Sequence, residues 1–279
     1  MKTVRYFLSQ YFPLGLARAP LLGLFCAASL WLSSQTTAGA QSLVQRDQQA
    51  LTILSQAIEA GGGQQLITSI QDFTETGTIE YVGGDQSAVN ASIKGRGLHQ
   101  IRVDADLPEG RRSTVVNGAT GSLTEANGQF RPIQHQSVRN LLGLTFPYLP
   151  LIAAVQDEST KIIYGGLVQH AGISAHDIRI EKVYTSQQDP TGRRGTQEGR
   201  DIYIDPKSLL VVSIFDQLHF VSNRGDGIPH EILYSNYHTE SGIAMPMTIS
   251  DTMRGVTGAT MQLSQIVFNS GLTDADFTK

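Results

Sequence analysis

The sequence predicts a mostly β protein with some helix (α+β), built on one antiparallel sheet that curls, with helices packed in its concave face. Three observations predict it. From Phe73 onward, apolar and polar residues alternate in short runs, the period of half-buried strands. Short turns rich in Gly, Asn and Pro join the runs, and links that short make hairpins and therefore antiparallel pairs. One helical stretch precedes the strands and another divides them into two groups, which suits a sheet carrying helices on one side. A long, strongly twisted antiparallel sheet tends to curl, and the helices then fill its hollow side.

Residues 1–40 read as a secretory signal peptide. Lys2, Arg5 and Arg18 are positive, no acid occurs before Asp47, Ala19 to Leu32 is mostly apolar, and Ala38-Gly39-Ala40 supplies a small-residue cleavage site before Gln41. The apolar core is shorter than the ~20 residues of a spanning helix, so the expectation is an exported chain that does not span a membrane after cleavage. Cys26 is the only cysteine and lies inside this leader, so residues 41–279, expected to be one domain, carry no disulfide or thiol chemistry. Acylation at Cys26 is disfavoured by the bulky Phe25 before it. The net charge is −4 and becomes more negative once the leader is lost, which argues against nucleic acid and anionic membrane surfaces as partners.

Residues 42–60 place Ala50, Leu51, Leu54, Ala57 and Ile58 on one stripe of a helix. Gly61-Gly62-Gly63 ends it, glycine tolerating a left-handed cap; no Lys-Ser/Thr follows to make a phosphate loop. "QQLITSI" predicts a short second helix. A meander follows, with turns at Gly83-Gly84, Pro108-Glu109-Gly110, Asn117-Gly118 and Asn127-Gly128. At 136–156 the apolar residues are too dense for a half-buried strand, and Pro147 and Pro150 suit the first turn of a helix. Two short kinked helices are expected, packed on the sheet's inner face. Strands resume at 161–168, 178–185 and 200–205, with a polar loop before the last. A turn at Asp205-Pro206-Lys207-Ser208 leads to Leu209–Phe215, apolar on both faces except at Ser213 and so a central strand. A hairpin turning at Glu240-Ser241-Gly242 and a last strand, "MQLSQIVFN", complete the sheet. In that hairpin Ile243, Met245, Met247 and Ile249 share one face.

Motifs for catalysis are weak. The seven histidines form no His-Glu-x-x-His, and no cysteine assists them. A site from His219, His230 and His238 is conceivable; exposed or hairpin-edge histidines are the plainer reading. Gly172-Ile173-Ser174-Ala175-His176 lacks the second glycine of a nucleophile elbow and reads as a turn. Asp104/Asp106 and Asp274/Asp276 read as solvated pairs. Arg111-Arg112 could meet lipid head groups or acids, or could guard a sheet edge. Apart from Met1, the methionines all lie between 245 and 261. Methionine adapts to irregular partners, so the cluster is either core filler or a surface for variable apolar ligands.

"RRSTVVNGATGSLTEANGQFRPI", "NLLGLTFPYLPLIAAV", "DIYIDPKSLLVVSIFDQL" and "ILYSNYHTESGIAMPMTIS" together resemble the LolA-like superfamily of periplasmic lipoprotein carriers and outer-membrane lipoprotein-sorting proteins. The match includes Ser235-x-Tyr237 and Gly242-Ile243-x-x-Pro246, and covers most of 48–277. The resemblance implies an unclosed β-barrel in the periplasm, whose helices form a lid over acyl chains of a lipid or lipoprotein. On that basis Leu141, Leu142, Leu149 and Ile152 are lid candidates. Ile202, Ile204, Val212, Ile214, Ile232 and Tyr234 are wall candidates with Ile243, Met245, Met247 and Ile249. The resemblance also implies an early-strand arginine that latches the lid, and Arg96 and Arg102 lie in that region. It implies no enzyme, no cofactor and no metal. The alternative is a non-catalytic envelope protein of the same fold that engages a protein partner and carries no cargo; a metal- or serine-dependent hydrolase stands behind both.

Overall fold

The computed structural model describes residues 44–82, 88–133, 146–218 and 227–278. Helices α1 (Gln48–Ala60) and α2 (Gln64–Thr68) come first. Six strands follow: β1 (Asp72–Tyr81), β2 (Val89–Arg96), β3 (Gln100–Leu107), β4 (Gly110–Asn117), β5 (Thr120–Thr124) and β6 (Phe130–Ile133). Helix α3 (Tyr148–Gln156) leads to β7 (Thr160–His170), β8 (Ile173–Lys182), a single turn α4 (Arg194–Gln197) and β9 (Arg200–Ile204). The chain then forms β10 (Val211–Leu218), β11 (Ile228–Glu240), β12 (Ile243–Met253), β13 (Val256–Phe268) and a closing 3-10 turn, Asp274–Phe277.

All thirteen strands belong to one antiparallel sheet, ordered β6-β5-β4-β3-β2-β1-β13-β12-β11-β10-β9-β8-β7. The chain starts at the middle, zigzags out to β6, crosses to the far edge at β7, and zigzags back until β13 lies beside β1. The first and last strands of the order do not pair, so the sheet is an unclosed barrel. As expected of its apolar run, β10 is an interior strand. It begins later than the sequence predicts: Leu209 has a φ of 59° and belongs to the turn, where its N–H donates to Asp205. The Asp205 carboxylate accepts the Lys207 and Ser208 N–H groups, which lengthens that turn.

Asp47 caps α1 by accepting the Gln49 N–H. Ala50, Leu54, Ala57 and Ile58 of the α1 stripe are buried as predicted, Leu51 is half-buried against the same core, and Ile53 is added to the stripe. Helix α3 has Pro150 in its first turn, and buries Tyr148, Leu151 and Ile152. The kink expected before it involves 134–145, outside the described residues. Both helices share one apolar core with the sheet. Gly61 permits that packing, since a Cβ there would stand 2.5 Å from the Tyr148 ring; the Gly61 carbonyl accepts the Ala244 N–H and pins α1 to β12. Phe146 bridges to the sheet, its ring 5.8 Å from Phe73 and 6.2 Å from Phe268. Arg46 ties the helices down, donating to Val155 O at 2.6 Å and Asp157 O at 2.5 Å, carbonyls at the end of α3.

The other face of the early strands is polar. Lys94 and Arg102 are direct partners across β2 and β3, and both reach the closing 3-10 turn: Lys94 pairs with Asp276 at 2.7 Å, and Arg102 donates to the Asp276 and Thr278 carbonyls. Arg96 pairs with Asp274. These contacts correct two expectations. Arg96 and Arg102 point away from the helices and latch the C-terminus instead. Asp274 is solvent-exposed as expected, though ion-paired, whereas Asp276 is largely covered in its pair with Lys94 and Asp104 is buried against Arg102 and Ser113.

Candidate functional site

Directly paired residues in a sheet share a face, so the register shows what the concave side presents. Ile79 pairs with Met261 and Met261 with Ile249; Tyr81 pairs with Ala259 and Ala259 with Asp251. On the neighbouring strands Ile93 pairs with Val103 and Val103 with Thr114, and Ala105 pairs with Arg112. These side chains line a hollow of about 210 Å³ that runs from β4 to β12. Its surface is mainly aliphatic, with Arg112 at the β4 end and Asp251 at the β12 end.

The end charges differ in how they are satisfied. Asp251 lies 3.3 Å from His230 Nε2, and His230 Nδ1 lies 2.7 Å from Asp216. Burial opposes charge on His230, but hydrogen bonds to Asp216 and Asp251 outweigh it and lift its pKa to about 9. The histidine is therefore cationic at neutral pH and holds Asp251. Arg112 stands 3.4 Å from Glu125 and 5.6 Å from the centre of the Tyr81 ring. Its Nε is buried yet makes no hydrogen bond, because the Glu125 contact lacks the geometry of one. On the same face, Glu75 is fully buried between Ile93 and Ile266, and neither carboxyl oxygen has a partner. Burial drives its pKa well up, so it is a neutral acid.

The residues named from sequence fall mostly beside this hollow. Ile202, Ile204, Ile214, Ile232, Tyr234, Ile243, Met245 and Met247 are at most 6% exposed and belong to the core shared with α1 and α3. Ile249 alone among them lines the hollow. Ile152 is buried, and Leu149 packs against the same core. Val212 is corrected: a register shift between Val211 and Ser213 gives its core position to Val211 and leaves it half-buried. Leu141 and Leu142 lie outside the described residues. Ile79, Tyr81, Ile93, Val103, Ala105 and Ala259 were missed as lining residues, although their alternation marks one face of a strand.

A larger concavity of about 790 Å³ lies between α3, β8 and the loop before β9. Its walls carry charges that satisfy each other, Asp157 with Lys182 and Arg194 with Glu198, so an apolar ligand there would desolvate ions for little gain. Among the described residues no group of His, Cys, Asp and Glu could hold a metal, and no helix is long and apolar enough to cross a membrane. His219 is outside those residues, His238 is exposed, and His230, expected at an exposed or edge position, is buried between two carboxylates.

No protein-family model matches the sequence, and no curated protein matches it significantly. Solved structures do match. An outer membrane lipoprotein-sorting protein domain from Vibrio parahaemolyticus, itself provisionally assigned, is 12% identical; the match covers 82% of this chain and 96% of that one, with a TM-score of 0.50. A DUF1329 family protein from Desulfovibrio piger is 12% identical over 82% of this chain and 97% of its own, with a TM-score of 0.49. A LolA superfamily protein from Nitrosomonas europaea is 13% identical over the same shares, with a TM-score of 0.49. Identity this low speaks to fold alone, and at that level the chain shares with the lipoprotein-sorting domain an unclosed antiparallel half-barrel.

Proposed function

We propose that this is an exported, periplasmic protein that binds the acyl chain of a lipid or lipoprotein without covalent chemistry. One observation carries the reading: an aliphatic hollow on the concave face, formed by Ile79, Ile93, Val103, Ile249 and Met261. Each methylene buried there is worth about 0.8 kcal/mol, so six supply roughly 5 kcal/mol. Pockets that enclose a drug-sized ligand run to about 300–1,000 Å³. At about 210 Å³ the hollow suits one chain at a time. The lipoprotein-sorting relative by fold and the leader-like N-terminus support export and an envelope role.

The test fills the hollow. Ala259 is half-buried and lines it. Protein purified from membrane-rich lysate should carry lipid mass in native mass spectrometry, and Ala259→Phe should lose most of it while unfolding at a similar temperature. A bare wild-type chain would remove this reading. It would favour the cargo-free envelope adaptor instead, which the tightly packed core beneath α1 and α3 also suits.

A further inference from the structure

We propose that the hollow takes a single-chain amphiphile with an anionic head, carboxylate or phosphate, and that Arg112 receives the head. The inference rests on the acyl-chain reading and specifies its ligand class. Arg112 lies at the β4 end of the hollow, and the aliphatic surface runs from it toward Ile249 and Met261 on β12 and β13. That arrangement fits a charged head at one end and a tail across the strands.

Two features single out the arginine. Its buried Nε stands 3.4 Å from Glu125 without forming a hydrogen bond, at the wall of a mainly aliphatic space. Such a donor gains stabilisation when a better-aligned oxygen meets it. The local charge is also unbalanced. Glu125 is shared between Arg112 and Arg131, so two guanidinium groups face one carboxylate. A guanidinium remains charged in proteins and presents a planar fork that matches a carboxylate or phosphate. At the far end Asp251 is already held by His230, so the ends of the hollow do not compete for the same head. The ring of Tyr81 lies under Arg112 and fixes its plane.

The experiment titrates decanoate, decyl phosphate and decanol into the purified protein by calorimetry. All three share a ten-carbon chain; the first two separate a fatty-acid head from a phospholipid-like one. At least one anion should bind about tenfold more tightly than decanol, the effect of one charge-assisted hydrogen bond. Arg112→Gln should bring the ratio of anion to decanol affinity to about one, and Arg112→Lys should restore part of it. Glu125 keeps Arg131 in the variant, so no acid is stranded. Equal binding of anions and decanol to the wild type, or a preference that survives Arg112→Gln, overturns the head assignment and leaves the acyl-chain reading standing. If no ligand binds, both fall.

Discussion

Glu75 and His230 both make stability depend on pH. Glu75 is held neutral by burial and has no hydrogen-bond partner. In the unfolded chain it ionises above about pH 4.3, so its contribution worsens as pH rises. Glu75→Leu should therefore stabilise the protein by about 1–3 kcal/mol at pH 7.5, by less at pH 5, in denaturant melts. His230 titrates with the opposite charge but the same trend. Its pKa is raised to about 9 by Asp216 and Asp251 against the cost of burial. The stability it adds is complete below about pH 6.5, its unfolded value, and is lost as pH climbs through about 9. Asp216→Asn should move that loss to lower pH, read as the midpoint of stability against pH. Neither role was legible in the sequence. Nothing in "FTETGTIEY" marks Glu75 as buried, because a register shift between Thr76 and Gly77 and a distant β13 decide its surroundings.

Elements were far more legible than side-chain roles, since strand alternation and turn chemistry are local. Ser241-Gly242 turns β11 into β12 with both residues at positive φ, as the dipeptide predicts, whereas Asn117 stays in β4 paired with Thr120 and Gly118-Ala119 makes the turn into β5. Leu209 failed the same reasoning because its apolar side chain suggests a strand while Asp205 captures the backbone beside it. What holds α3 in place was also hidden. Arg46 precedes α1 and looks like an ordinary surface charge, yet its guanidinium spans the carbonyls that end α3, while its backbone bridges Ile162 on β7. Arg46→Ala should cost about 1.5–3 kcal/mol, the range for hydrogen bonds to charged groups. Amide hydrogen exchange should rise in α3 before it rises in β1 or β13.

At the scale of the molecule, the residues named from the sequence lie on the concave apolar face, mostly in the core beside the hollow rather than in its lining. The residues of β9 to β12 and those of β1 to β4 carry equally apolar rows. Among the described residues, which row α1 and α3 cover depends on where they dock, and long-range fits such as Gly61 on Tyr148 contribute to that. Periodicity within a strand contains no such information. The sheet order has a separate consequence. Each zigzag can assemble from sequence neighbours, but β1 must find β13, with Phe73 beside Phe268. Joining segments so far apart is the slow, entropy-limited part of folding. A nascent chain delivered N-terminus first thus holds its central seam open until its final strand arrives, and the greasy trough cannot take shape before then.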